Sequence, residues 1–355
     1  MRLLFNAYPT NCQGGGAVIK LTKLREYLAG RGHLVDLFDP WSSKIEEYDI
    51  YHHFSMFPSD LPMIRFAKAA DVKVCIETMY WGSWRHAITA PTRKLAVRAR
   101  RIARYAQRRI APRTTYERAL LEIADVVFVN SEFEKLNVGR DFGIAPGKIA
   151  VCYNGADRTF AKGDPALFTR TYGIEKFVLV TGIFEERKNQ LGLIRALKNT
   201  DMPLVLIGAT PPVHKWYLEK CKAEAGPNVW FIDEMNHDDP MFRSAYAACS
   251  VLVLPSWHET TVKSALEAAL LGKNVVMTKS APAAKEYFGN LVTYVDPNNV
   301  EGMRSAVLAA HAAPSPKELQ ERVSDRFTWD IVAAEREQRY QSLLDKRLAV
   351  NGGNR

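Results

Sequence analysis

The chain is expected to fold as α/β, with two doubly wound domains facing a central cleft, and three observations predict this. Its 355 residues and 47% hydrophobic content suffice for two cores. Strand-sized apolar runs alternate with longer amphipathic stretches, the pattern of parallel sheets covered by helices on both faces. Near residue 165 that alternation starts again.

The elements follow in order. "RLLFNAY", "HLVDLFD", "YDIYHHF", "VKVCIET", "DVVFVNS" and "KIAVCYN" are short and rich in Val, Ile, Phe and Tyr, as strands are. Between the first two, "AVIKLTKLREYLAGRGH" reads as a helix stopped by Gly30 and Gly32. After the junction "NGADRTFAKGDPALF" come "KFVLVTGI", "PLVLIGA", "NVWFIDE", "SVLVLPS", "NVVMTK" and "LVTYVD", again separated by helical stretches. The expected domains are residues 1–160 and 161–327, with a closing helix over 328–347.

Composition narrows the function class. Five scattered cysteines (Cys12, Cys75, Cys152, Cys221, Cys249) lack metal-ligand spacing and read as reduced thiols of a cytoplasmic protein. No apolar run approaches the roughly 20 residues that span a bilayer, and no segment has the layout of a signal peptide. The net charge of +9 is concentrated in one place: residues 78–116 hold no acid, and residues 85–118 hold eleven basic residues against Glu117 alone. On a helical wheel Arg93, Arg100 and Arg104 align, while Arg101, Arg108 and the other basic residues widen the arc. Leu95, Ala99, Ile102, Ala106 and Ile110 form a narrow apolar stripe. With Tyr80, Trp81, Trp84 and Tyr105 nearby, this is the pattern of a helix lying on anionic lipid. A solvated helix packed by its stripe is the plainer alternative. Nucleic acid ranks last, because no nucleic-acid motif accompanies the patch.

Ligands of open α/β sheets bind beyond the carboxyl ends of strands. "VLVLPS" followed by "WHET" and "TVKSALEAALLGK" is such a strand, loop and helix, with Thr260 and Thr261 as caps and Gly272 as the stop. The helix end offers free N–H groups to a diphosphate. Glu259 in the loop and Glu267 two turns on could grip the hydroxyls of a sugar and a ribose. A solvated loop acid and a salt-bridged helix acid are the plainer reading of that pair.

Six stretches in order give a resemblance. "PSWHETTVKSALEA", "LLGKNVV", "VLVTGIFEERKNQLGLIRAL", "DVVFVNSEFEKLNVGRDFGIAPGKIAVCYNGAD", "GGGAVIKLTKLREYLAGRGHLVDLF" and "RFTWDIVAAEREQRYQSLL" resemble the retaining glycosyltransferases of family 4 from about residue 1 to 345. The resemblance implies a GT-B fold: two Rossmann-like domains, acceptor-binding then donor-binding, and a C-terminal helix crossing back to the N-domain. It implies that Glu259 binds the donor hexose, Glu267 the ribose, and Lys188 the diphosphate leaving group. Gly182, Gly208 and the backbone of Thr260, Thr261 and Val262 would complete the donor site. Gly14, Gly15 and Gly16 would form a loop against phosphate or acceptor. Three positions depart from the family pattern. Ile183 stands where an arginine is usual, with Arg187 as its substitute; "TTV" replaces a glycine-rich turn; Tyr80 stands where a histidine is usual.

The expected activity is retaining transfer of a hexose from a nucleotide diphosphate sugar to a glycan or lipid-linked acceptor, in cell-surface polysaccharide or glycolipid assembly. No cofactor or metal is expected, since no His–carboxylate cluster is visible near the site. The expected location is cytoplasmic, peripheral on the inner face of the membrane, with no nucleic-acid partner. The alternatives are a nucleotide-sugar epimerase of the same fold and a non-catalytic glycan- or nucleotide-sugar-binding relative.

Overall fold

The computed structural model describes residues 1–7, 16–80, 82, 88, 95–112, 115–259, 262–314 and 316–352, the last seven of these by backbone alone. The chain divides into two compact units. Unit 1 is residues 1–88, 94–155 and 329–355, and unit 2 is residues 89–93 and 156–328.

Unit 1 is built on a six-stranded parallel sheet: β1 (Arg2–Asn6), β2 (Leu34–Leu37), β3 (Ile50–His53), β4 (Lys73–Glu77), β5 (Val126–Val129) and β6 (Ile149–Val151), in the order β2-β1-β3-β4-β5-β6. Each strand lies inside one of the segments expected from sequence. The inner strands β1, β3, β4 and β5 are mostly buried on both faces, while the edge strand β2 is partly exposed. Side chains alternate between faces along a strand. Leu4, Val74, Ile76, Val127 and Val129 pack with Ile64, Ala67, Leu120, Leu121, Val138 and Phe142. Leu3, Phe5, Cys75 and Phe128 pack on the opposite face with Leu21, Leu24, Leu28, Trp329, Val332 and Tyr340. The closing helix, Trp329–Gly352, is thus part of unit 1.

That second face encloses a group of charges. Arg336 Nη1 lies 2.7 Å from Glu77 Oε2, and its guanidinium carbon is 3.8 Å from the centre of the Phe128 ring. Lys20 Nζ contacts Glu77 Oε1 and Asn130 Oδ1. His52 Nδ1 is 2.6 Å from the Tyr340 hydroxyl, and its Nε2 is 3.6 Å from Glu77 Oε2. Burial works to raise the Glu77 carboxyl, but Arg336, Lys20 and His52 outweigh it and hold the group well below the usual carboxylate range. Burial pushes the His52 imidazole down to about 4.

Unit 2 repeats the design with β7 (Val178–Thr181), β8 (Leu204–Ile207), β9 (Val229–Ile232), β10 (Val251–Leu254), β11 (Asn274–Thr278) and β12 (Thr293–Val295). The order is β12-β11-β10-β7-β8-β9, all parallel. Counted from β7, this is the doubly wound order 3-2-1-4-5-6, whose direction reverses between β7 and β10. Those two strands pair only at Val178–Val251 and Leu179–Leu252, whereas β7 and β8 stay paired through Thr181–Ile207. The sheet therefore parts at the carboxyl ends of β7 and β10, where a crevice is expected on topological grounds.

The Arg-rich helix spans Leu95–Ile110 and buries none of its residues completely. Its orientation corrects the sequence reading. Arg104 and Arg108 both turn to Glu117, a buried acid whose charge requires partners, and Arg109 Nη1 lies 3.3 Å from Asp141 Oδ1. Arg108 also covers the rings of Tyr80 and Phe142. Arg104 and Arg108 are therefore structural, Arg101 is half-buried and Arg100 is exposed, while Arg93 lies outside the described residues. The apolar residues face away: Leu95 is 81% and Ile110 83% exposed.

Candidate functional site at the switch point of unit 2

Two loops meet where β7 and β10 part. After β7 the chain passes Gly182 at φ +126°, a conformation side chains rarely allow. A 3₁₀ turn over Glu186–Lys188 follows, then Asn189 in the left-handed region at φ 55°, which asparagine tolerates, and the helix Gln190–Leu197. After β10 the chain runs Pro255-Ser256-Trp257-His258-Glu259. The loops are stitched together: Trp257 N–H donates to the Arg187 carbonyl at 2.8 Å. Arg187 Nη1 donates to the His258 carbonyl at 3.0 Å, and Asn189 Nδ2 donates to the Pro255 carbonyl at 3.0 Å.

This stitching converges on Glu259, which is 7% exposed. Its Oε1 accepts from Lys188 Nζ at 2.6 Å and from Ser256 Oγ at 2.7 Å, and Arg187 Nη1 stands 3.7 Å from Oε2. Burial would raise this carboxyl, but the Lys188 and Arg187 charges overcome it and hold the group below its ordinary value. Lys188 reaches across Gly182: a Cβ on that glycine would lie 3.9 Å from the lysine nitrogen. Gly208, at the end of β8, has a different reason to be glycine, because a Cβ there would come within 1.9 Å of the Gly182 carbonyl oxygen. Gly182 and Gly208 thus bring two backbones together under Lys188.

Glu267 sits in the helix Lys263–Leu270 and is 4% exposed. Its Oε1 is 2.6 Å from His237 Nε2. Tyr246 links this acid to the end of β7: its phenol is 2.8 Å from Thr181 Oγ1 and is raised well above its usual range by burial and by the Glu267 carboxylate. Both glutamates therefore belong to the crevice end of the sheet.

The structure brings together Glu259, Lys188, Arg187, Gly182 and Gly208, and it places Glu267 beside Tyr246 and Thr181. Val262 is the buried residue before the second helix, which starts at Lys263 with no side-chain cap. Thr260 and Thr261, taken as caps, lie outside the described residues, as do Gly14 and Gly15. Gly16 opens the helix Gly16–Gly30. Tyr80 requires correction as an acceptor contact: it is buried in the core of unit 1, with its hydroxyl donated to Asp141 Oδ2 at 2.9 Å and its ring against Phe142.

Sequence reasoning missed Ser256 as a ligand of Glu259, the Asn189 turn, and above all His237. It also found no His–carboxylate cluster near the site. The structure corrects that: Asp157, His237 and Asp238 bring one ligand atom each to within 4.8 Å of one another, a set that could hold a cation. The residues come from loops 80 positions apart, and only the triplet "HDD" could have drawn notice.

Two family profiles match the chain. "Glycosyltransferase Family 4" covers residues 14–160, and "Glycosyl transferases group 1" covers residues 169–326. A search of curated proteins gives no match. Among solved structures, sucrose-phosphate synthase from Thermosynechococcus elongatus is similar at TM-score 0.75 and 18% identity, covering 98% of this chain and 100% of that one. Anabaena HepE, solved with UDP and glucose, is similar at TM-score 0.71 and 17% identity over 96% of this chain and 100% of its own. An α,α-trehalose-phosphate synthase (UDP-forming) from Burkholderia xenovorans, solved with glucose-6-phosphate, is similar at TM-score 0.60 and 13% identity, with 92% and 77% covered.

Proposed function

The chain belongs to the group 1 glycosyltransferases of the family 4 type, with the GT-B fold; on that premise we propose that it transfers a hexose from a nucleoside diphosphate sugar to a glycan or lipid-linked acceptor, with retention at the anomeric carbon. The observation that carries the proposal is the Lys188–Glu259 pair at the parting of β7 and β10. It supplies one cation for a diphosphate and one carboxylate for sugar hydroxyls, side by side.

Transfer breaks the bond from the anomeric carbon to the phosphate oxygen and forms one to the acceptor oxygen on the same face. The acceptor's proton passes to the departing phosphate oxygen, so no protein base is required. Lys188 and Arg187 neutralise the charge that grows on the diphosphate, where a preset cation contributes most. Glu259 orients the hexose through its hydroxyls, and Glu267 accepts from the ribose. Unit 1 serves the acceptor. These cations make a metal unnecessary at the phosphates. That HepE was solved with UDP and glucose, and that the trehalose-phosphate synthase is UDP-forming, favours a uridine diphosphate hexose as the first donor to try.

We further propose that the enzyme works on the inner face of the cell membrane, in polysaccharide or glycolipid assembly. No helix among the described residues is long and apolar enough to cross a membrane. The support is the outward-facing Leu95, Val97, Ile102 and Ile110 beside exposed Arg100. The test of function is nucleotide release from a panel of UDP- and GDP-hexoses, with and without acceptor glycans. Acceptor-dependent release with an α-linked product from an α-donor supports transfer with retention. Conversion of the sugar without acceptor would identify an epimerase, and binding without turnover a non-catalytic relative.

A further inference from the structure

Glu267 enters the site with one oxygen already engaged. His237 Nε2 is 2.6 Å from Glu267 Oε1, and the imidazole is itself fixed, with the Phe160 ring centre at 5.0 Å and that of Phe242 at 6.2 Å. On the ring's other edge Nδ1 faces Asp238 Oδ1 at 3.7 Å, and Asp157 brings its carboxylate into the same group. Arg243 Nη2, 3.2 Å from Asp238 Oδ1, keeps that aspartate in place. His237 is therefore clamped by aromatic faces and by charge, and it presents one N–H to one carboxylate oxygen.

A glutamate side chain has three rotatable bonds, and a free one spends most of its time out of any single binding geometry. A carboxylate has four lone-pair directions. With Oε1 held by His237 and the Tyr246 phenol hydrogen-bonded to the same carboxylate, the direction of the group is set, and its remaining lone pairs can accept from two neighbouring hydroxyls. A ribose presents such a pair at its 2′ and 3′ positions, while a 2′-deoxyribose presents one hydroxyl. We propose that His237 is a positioning residue of the donor site: it orients the Glu267 carboxylate toward a ribose 2′,3′-diol and so makes binding selective for ribonucleotides over deoxyribonucleotides. The proposal rests on the assignment of Glu267 to the donor ribose.

The experiment is calorimetric titration of the full chain with UDP, 2′-deoxy-UDP, GDP and 2′-deoxy-GDP, for wild type, His237→Gln, His237→Leu and Glu267→Ala. Near-ultraviolet circular dichroism and Tm report the fold of each variant. A glutamine places an amide donor near the position of Nε2, whereas leucine fills the space without one. The wild type should prefer the ribose form of the base that it binds by roughly tenfold or more, the scale of a hydrogen bond to a charged group. His237→Leu should weaken that ribonucleotide severalfold more than its deoxy form, which has only the 3′-hydroxyl contact to lose, and raise donor KM with little change in kcat. His237→Gln should keep most of the preference.

Equal weakening of both sugars by His237→Leu would overturn the proposal, since the ring would then merely pack the loop. So would His237→Gln behaving like His237→Leu, or loss of ribose selectivity on adding EDTA to the wild type, which would put a metal ion in the positioning role. If Glu267→Ala abolishes the preference and His237→Leu does not, the role of His237 falls while the ribose assignment stands. If Glu267→Ala leaves the preference intact, both fall.

Discussion

Lys188 and Glu259 form an ion pair at 2.6 Å in which the carboxylate is almost wholly buried and the ammonium is partly exposed. The pair is unequal. The lysine can swing to a diphosphate while Arg187 and Ser256 keep the glutamate in place, 3.7 Å and 2.7 Å away. Its two members should therefore fail differently. Lys188→Ala leaves Glu259 repelling the donor's phosphates, and we expect kcat to fall about a hundredfold or more, with a smaller change in donor affinity. Glu259→Gln should raise donor KM as well as lower kcat. The double variant should be better than the product of the two, because removing the carboxylate relieves the repulsion. Steady-state kinetics of the three variants checks this, and multiplicative losses would show that the two residues act independently.

The phosphates should need no metal. On the proposed reading, in which Lys188 and Arg187 supply the charge at the diphosphate, extensive dialysis against EDTA is expected to leave turnover unchanged. Activity that disappears and returns only with magnesium or manganese would mean that these side chains are insufficient.

Stability of unit 1 should follow the protonation of His52. The imidazole is fully buried and titrates near 4 instead of its ordinary 6.5. A depressed pKa means that the unfolded chain takes up the proton first. The contribution is therefore complete above about pH 6.5 and is lost as the pH falls toward 4, for a total of about 3 kcal/mol. Chemical denaturation at several pH values should show stability falling across that window, and His52→Gln should flatten the slope by up to one proton. An unchanged slope would show that other groups carry the acid sensitivity.

The Arg-rich helix permits a test in which folding and membrane docking separate. Leu95→Gln, Ile110→Gln and Arg100→Glu alter only exposed positions, and they should abolish sedimentation with anionic vesicles while leaving Tm nearly unchanged. Arg108→Glu instead places an acid against buried Glu117 and should lower Tm by several degrees. Retained vesicle binding in the triple variant would move the contact elsewhere on the chain.

The strands were legible because they are short, rich in Val, Ile, Leu and aromatic residues and bounded by turn residues; β1, β7, β8 and β10 are buried along nearly their whole length, whereas β2, β9 and β12 are partly exposed. The loop after β10 was legible as well, since Pro255, Ser256, Glu259 and Glu267 lie within thirteen consecutive positions of one strand–loop–helix unit. What escaped depends on contacts between distant residues. Nothing in the local sequence says that Gly208 must clear the Gly182 carbonyl one strand away, or that His237 folds back onto Glu267. Arg104 and Arg108 appeared on the wheel as free surface charge, yet Glu117 draws them inward from a neighbouring helix. The described helix begins at Lys263, after Val262, and Thr260 and Thr261 lie outside the described residues.

The closing helix also fixes an order of assembly. Arg336 meets Glu77 across 259 residues and Tyr340 meets His52 across 288. At about 5–20 residues per second, a ribosome takes roughly 13 to 50 s to deliver that guanidinium after the glutamate. Throughout this interval the sheet face carrying Leu3, Phe5 and Phe128 lacks Trp329, Val332 and Tyr340. Residues 156–328 are contiguous and have no such wait. The nascent chain therefore completes its second unit before its first, reversing the usual N-terminal-first sequence. While it does so, the cover that this face of the earlier sheet already has comes from Leu21, Leu24 and Leu28 of the helix Gly16–Gly30.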